Sequence, residues 1–185
     1  MQLRPYRSTD ASAVLAIYGP VVAESSATFE LEVPNLDDFS KRLAGIAGRF
    51  PFWVAESAEG ALIGYAYGTT HRERVAYQWA VETSVYVATS AHRRGVARAL
   101  YGALLPSLAE RGFVWAYGVI TLPNDASVAL HAASGYESFA TYAAAGQKFG
   151  RWHDVHWMRV RLNPPRDGMA EPVFIGLRSE SELGG

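Results

Sequence analysis

An α/β fold, with helices packed against one mixed sheet, is what this 185-residue sequence predicts. Two observations point to it. Strand-like and helix-like stretches follow the order strand, helix, helix, three strands, helix, strand, helix, two strands, which suits a single α/β sandwich. A strand-like run, Ser84-Val85-Tyr86-Val87, then passes through a short basic turn containing Gly95 into a long helix-like stretch. No repeat, low-complexity tract or internal boundary divides the chain. Residues 1–162 read as one domain and 163–185 as a C-terminal tail.

Each element has a local reason. Gln2 to Tyr6 is a short opening strand. Ser8-Thr9-Asp10 offers capping oxygens to a helix whose apolar face is Val14, Leu15, Ile17, Tyr18, Val21 and Val22. Gly19-Pro20 should distort or divide that helix. Thr28-Phe29-Glu30 falls in a loop. A second helix begins near Asn35, carries Asp37 and Asp38 in its first turn, and runs to about Ile46. Phe52–Ala55 and Ala61–Gly68 form a hairpin about Glu59-Gly60. His71-Arg72-Glu73-Arg74 is a charged loop, and Trp79 to Val87 the next strand.

A helix from Arg98 to about Arg111 follows, with Val96, Leu100, Leu104 and Leu108 on one stripe and a kink expected at Pro106. Phe113 to Ile120 is a strand. Asn124-Asp125 opens a helix through Ala133 that Ser134-Gly135 stops. Tyr136–Ala145 and His153–Leu162 pair around a loop at Gly146–Arg151. Beyond Asn163-Pro164-Pro165 the tail carries only Val173, Phe174, Ile175 and Leu177 as apolar anchors.

Composition excludes several classes of function. The net charge is -1, so no global field draws the chain to nucleic acid or to an acidic membrane. There is no cysteine, which removes disulfides, thiolate metal sites and an acyl-cysteine intermediate. No apolar run approaches the ~20 residues that span a bilayer. The N-terminus is polar, and the cytoplasm is the expected compartment. No His/Glu spacing suggests a metal, and no P-loop lysine is present.

The stretch His92-Arg93-Arg94-Gly95-Val96-Ala97 is the most informative. Free N–H groups at a helix start, with the positive end of the helix dipole, favour phosphate. Gly95 allows close approach of a bulky ligand, and Arg93, Arg94 and Arg98 add positive charge. A pyrophosphate-bearing cofactor, held mainly by main chain, is the expectation.

These residues resemble a known family. His92 to Ala97 fits the motif Gln/Arg-x-x-Gly-x-Gly/Ala of the GCN5-related N-acetyltransferases (the GNAT superfamily), with His at the first position. A narrower resemblance, to its phosphinothricin and methionine sulfoximine acetyltransferase group, runs through several blocks. They are Tyr77-Gln78-Trp79, Val81 to Val87, Leu122-Pro123-Asn124-Asp125-Ala126-Ser127-Val128, His131 to Tyr136, and Gly150-Arg151-Trp152-His153-Asp154-Val155. They stand in family order and spacing, and the match covers about Gln2 to Leu162.

The resemblance implies a mixed, mostly antiparallel sheet splayed between its fourth and fifth strands. It implies acetyl-CoA as cosubstrate, a small-molecule amine as acceptor, and a homodimer. The edge of Val85, Tyr86 and Val87 would hold the pantetheine arm, with an N–H near Val87 polarising the thioester carbonyl. Arg93, Arg94, Gly95, Val96, Ala97 and Arg98 would hold the pyrophosphate, and Asn124 would both cap its helix and reach the cofactor. Glu82 would be the general base, or else a structural partner of Arg72 or Arg74. His131 would protonate the thiolate, with a satisfied polar core residue as its alternative and Tyr142 in reserve. The acceptor pocket would be Phe29, Glu30, Arg72, Arg74, Tyr77 and Thr83. Arginines there suit an oxyanion, whereas Glu30 stands where the best-known phosphinothricin enzymes carry Arg. Trp152-His153-Asp154 is not read as a His–Asp pair, because strand neighbours face opposite ways. That region is expected at a subunit contact.

Overall fold

The structure is a computed structural model and describes residues 1–176. Its elements are β1 (Gln2–Pro5), α1 (Ala11–Glu24), α2 (Leu36–Ala47), β2 (Phe52–Glu56), β3 (Leu62–Thr70), β4 (Ala80–Val87), α3 (Val96–Glu110), β5 (Trp115–Thr121), α4 (Asp125–Ala133), β6 (Glu137–Lys148) and β7 (Arg151–Arg161). The seven strands form one sheet in the order β1-β2-β3-β4-β5-β7-β6. All pairs are antiparallel except β4–β5.

Two cores flank the sheet. On one face α1 and α2 bury Val14, Ile17, Tyr18, Val22, Phe39 and Leu43 against Val54 and Tyr65. On the other α3 buries the expected stripe Val96, Leu100, Leu104 and Leu108, together with Tyr101. Neither proline divides its helix: α1 runs through Pro20 and α3 through Pro106. A helix-interior proline costs about 3 kcal/mol. Burying each large apolar side chain stabilises by roughly 1.5–3 kcal/mol, so four or five of them on one helix outweigh the lost turn. α3 also starts two residues before the expected Arg98, at Val96, because Gly95 in the left-handed region serves as its N-cap.

The β4–β5 junction positions the site. The two strands pair over only Ala80↔Trp115, Val81↔Ala116 and Glu82↔Tyr117. Beyond Glu82 they part, as the family resemblance implied. β4 stays paired with β3 up to Gly64↔Val87. The Ala88 N–H donates to the Ile63 carbonyl at 2.9 Å. By antiparallel alternation, Ser84 and Tyr86 therefore turn their main chain to β3, while Val85 and Val87 turn theirs into the gap.

The last hairpin departs from expectation. The loop foreseen at Gly146–Arg151 is a two-residue turn, Phe149-Gly150, with Lys148 still paired to Arg151. Both turn residues have positive φ (53° and 70°), the type I′ geometry that matches strand twist. β6 also bulges between Tyr142 and Gly146, and the Asp154 carboxylate accepts from the freed Ala144 N–H at 2.8 Å. The tail folds back on the domain. Asn163 donates to the Ala109 and Phe113 carbonyls (2.8 Å each), and Phe174 packs on Phe50 and Phe113. Val173 is anchored by its N–H to the Arg111 carbonyl (2.9 Å), with its side chain exposed. Leu177 lies outside the described residues. Among the described residues no helix is long and apolar enough to cross a membrane.

Candidate functional site

The turn before α3 is built to receive an anion. α2 and α4 start on asparagines whose side chains accept from Asp38 N and Ser127 N. α3 starts on Gly95 with no side-chain cap, so its first-turn N–H groups are left for another acceptor. Arg93 and Gly95 both lie in the left-handed region (φ 59° and 77°), a backbone that cups N–H groups. Arg93, Arg94 and Arg98 are exposed around it. His92 donates from Nε2 to the Val87 carbonyl at 3.1 Å, which ties this turn to the end of β4. Asn124 accepts at Oδ1 from Ser127 N, leaving its amide N–H donors free. The gap edge is narrower than expected from sequence. Val85 and Val87 present main chain to it, whereas Tyr86 turns its backbone to β3 and packs its ring on Tyr18 and Tyr65.

Glu82 is the last residue before the strands part. Its side chain is 29% exposed and accepts from His71 Nδ1 at 3.0 Å, with Arg72 Nη1 at 3.9 Å. The His71 ring stacks on Tyr117 at 4.4 Å and meets Tyr77 and Trp157 edge-on. Arg72 lies over the Trp157 ring. The structure thus gathers Glu82, Arg72 and Tyr77 on one face of the sheet. Arg74 is exposed on the same loop. Tyr142 packs against Trp157 with its ring tilted, on this face as well.

Phe29 and Glu30 approach from the loop between α1 and α2. Phe29 sits over Gly146, where a Cβ would come within 2.3 Å of its ring. Glu30 is ion-paired with Arg42 of α2, so its carboxylate is not presented as a free negative charge. Lys148 anchors this loop. Only 2% exposed, it donates to the Val22 carbonyl at 2.7 Å and the Thr28 carbonyl at 2.9 Å. Burial pulls its pKa down. Tyr18, hydrogen-bonded to Thr28 at 3.0 Å, has its pKa raised by burial to about 12.

Two expected residues are held elsewhere. Thr83, placed in the acceptor pocket by resemblance, is 5% exposed and points to the α3 face. Its hydroxyl donates to the Tyr117 carbonyl (3.1 Å) and accepts from the Tyr136 hydroxyl (2.7 Å), pinning the last rung of the β4–β5 ladder. His131 is 4% exposed. Its Nδ1–H donates to the Ser127 carbonyl at 2.8 Å, so Nε2 is the acceptor of the Tyr101 hydroxyl at 2.9 Å. Desolvation lowers its pKa. Both nitrogens are engaged, so a general acid here would first have to break the Tyr101 bond. Trp152, His153 and Asp154 do not form a catalytic pair. His153 faces the Leu122 and Lys148 carbonyls and Asp154 the β6 bulge.

Sequence reasoning passed over His71, Tyr101 and Tyr67, and read Trp157, with Trp152 and Phe149, only as an interface or core residue. His71 carried the one available signal, a histidine opening the charged loop just before the strand of Glu82. Tyr67 pairs across from Ser84. Burial raises its pKa, modulated by Arg42 and Glu30 nearby. A cavity of about 520 Å³ lined by Tyr77, Trp79, Trp115, Tyr117 and the tail at Arg166–Met169 opens beside this cluster.

A parted sheet, an uncapped basic turn and a carboxylate at the parting point describe an acyl-transfer site on an α/β scaffold. The model of the acetyltransferase (GNAT) domain matches residues 3–157, and the chain belongs to the GNAT acetyltransferase family. It is an N-acetyltransferase. It is 39% identical to a phosphinothricin N-acetyltransferase of Streptomyces viridochromogenes over 94% of each chain. It is 33% identical to an L-methionine sulfoximine/L-methionine sulfone acetyltransferase of Pseudomonas aeruginosa, over 85% of this chain and 92% of the relative. A GNAT-superfamily phosphinothricin acetyltransferase from Sinorhizobium meliloti, solved in complex with AcCoA, superposes with a TM-score of 0.86. It shares 34% identity over 90% of this chain and 94% of its own.

Proposed function

We propose that this enzyme transfers acetyl from acetyl-CoA to the α-amino group of a small amino-acid analogue, of the phosphinothricin, methionine sulfoximine or methionine sulfone class, by direct attack in a ternary complex. The observation that carries this reading is the position of Glu82. It stands where β4 and β5 separate, so a thioester lying along Val85 and Val87 reaches the acceptor face beside its carboxylate.

The diphosphate binds the first turn of α3, and Arg93, Arg94 and Arg98 neutralise it. Val85 and Val87 pair with the pantetheine arm as a strand edge would. The Val87 N–H points into the gap while its carbonyl is taken by His92, so a donor is directed at the thioester oxygen. Glu82, oriented by His71, accepts a proton from the acceptor ammonium, directly or through water. The free amine attacks the carbonyl carbon, the C–S bond breaks, and the second amine proton passes from the new amide nitrogen through water to solvent or to the departing thiolate. A thiol of pKa near ~8.5 leaves as thiolate without obligatory protonation. His131, fixed by Tyr101 and Ser127, serves as a neutral support for the cofactor gap.

The partner we propose is a second copy of this chain. Phe139, Tyr142, Phe149 and Trp152 are exposed on the terminal hairpin, and an exposed apolar edge strand is a natural pairing surface. The compartment we propose is the cytoplasm, where acetyl-CoA is available.

The test is thiol release from acetyl-CoA with a panel of amino-acid analogues. Turnover with L-methionine sulfone, L-methionine sulfoximine or phosphinothricin is expected. Binding of acetyl-CoA without turnover of any amine would convert the reading to a coenzyme-A-binding module.

A further inference from the structure

We propose that Trp157, with Arg72, reads the free carboxylate of the acceptor, so that this enzyme acetylates free amino acids and discriminates against their esters, amides and peptide N-termini. The proposal rests on the acetyl-transfer reading above and names what the acceptor must carry.

Among the described residues, the indole Nε1 of Trp157 is the one buried side-chain nitrogen or oxygen with no hydrogen-bond partner. Buried donors are nearly always paired, and an orphan calls for a specific explanation. The ring is packed on every side by the acceptor-face cluster. His71 and Tyr117 lie edge-on at 6.0 and 6.4 Å, Tyr142 at 5.5 Å, and the Arg72 guanidinium over the ring at 5.8 Å. β7 and β5 place it here, through the Val119↔Trp157 pair, on the same sheet face as Glu82 and Tyr117.

Arg72 is short of acceptors too. Its carboxylate neighbour Glu82 is 3.9 Å away and already bonded to His71. Its single hydrogen bond, at 3.2 Å, is to the carbonyl of His71 next to it. An unpartnered indole N–H and a guanidinium with donors to spare therefore lie close together, one residue contact from the proposed base. A carboxylate supplies two acceptor oxygens in one plane, and a guanidinium is the group best shaped to meet it. Arg72 is half exposed and hangs from a loop, so it can turn onto one oxygen of an incoming carboxylate while the second oxygen meets the indole N–H. The α-ammonium, one carbon away, is then directed at Glu82. An ester, amide or peptide bond at that position keeps one acceptor oxygen but loses the charge, and brings a substituent against Tyr142.

The experiment compares L-methionine sulfone with its carboxyl methyl ester, using wild type and Trp157→Phe, which keeps an aromatic ring and removes the N–H. Wild type is expected to favour the acid at least tenfold in kcat/KM. In Trp157→Phe the KM for the acid rises about tenfold, while kcat, the KM for the ester and the affinity for acetyl-CoA stay within twofold. In the proton–nitrogen spectrum, the indole peak that Trp157→Phe abolishes moves when the acid is titrated in and stays still with the ester. An unchanged KM for the acid, an equal rise for acid and ester, or a stationary indole peak overturns the proposal. Absence of turnover with every amine overturns the parent reading instead, and the spectral titration still decides whether the indole meets a carboxylate.

Discussion

The imidazole of His131 occupies the space that a side chain at Gly118 would need: a Cβ there would stand 2.4 Å from the ring. Gly118 is the first residue of β5 beyond the last rung shared with β4. The ring has no room to yield, being bonded on one side to Tyr101 and on the other to Ser127. Gly118→Ala should therefore cost about 1–3 kcal/mol by overpacking. The same change in a His131→Ala background should cost much less, a coupling that urea unfolding of the four chains measures directly. Additive losses would mean that the ring does not pack on residue 118.

Gly146 gives the opposite contrast. A Cβ there would come within 2.3 Å of Phe29, but that ring is more than a third exposed and free to turn outward. Gly146→Ala should leave the unfolding midpoint nearly unchanged, within about 1 kcal/mol. It should raise the acceptor KM several-fold with no change for acetyl-CoA. A large stability loss with an unaltered acceptor KM would remove Phe29 from the acceptor site.

Acid should destabilise the fold through His131. Burial depresses its pKa in the folded chain, whereas the unfolded chain titrates near ~6.5. Below that value the unfolded state binds a proton that the folded state refuses, so stability is complete above it and falls as pH drops toward the folded pKa. The slope approaches about 1.4 kcal/mol per pH unit. The difference between wild type and His131→Gln, followed by unfolding at pH 5 to 7.5, should show this slope. Parallel curves would argue that His131 is not held neutral.

Much of the scaffold was legible because it depends on neighbours in sequence. The stripe Val96, Leu100, Leu104 and Leu108 reads as one helix face, Asn35 as a helix start and Asn124 as a cap. Gly95 marks the tight turn before that helix. What was hidden depends on residues far apart. Nothing near Thr83 reveals that its hydroxyl meets the Tyr117 carbonyl, 34 positions away. Nothing near Lys148 points to Val22, 126 positions away. The tight turn at Phe149-Gly150 was missed because a bulky residue rarely takes positive φ. His71 was read as part of a charged loop, since only the fold stacks it on Tyr117 and turns it to Glu82.

Glu82→Gln should lower turnover more at pH 7 than at pH 9. An α-ammonium of pKa near ~8 is mostly protonated at pH 7 and needs a base, whereas at pH 9 the amine is largely free. Initial rates across that range, at saturating acetyl-CoA, would show the gap narrowing. Equal losses at both ends would assign Glu82 to structure.

Among the described residues, the sheet's first four strands meet its last three through a short seam of three backbone-paired rungs. Whatever threads the opening past Glu82 acts as a splint, lending Val85 and Val87 the partners that β5 withholds. A ligand at a hundred times its dissociation constant would brace the two halves by about 2.7 kcal/mol. Each product release would hand that rigidity back, so the resting enzyme should breathe along this seam and the loaded one should not.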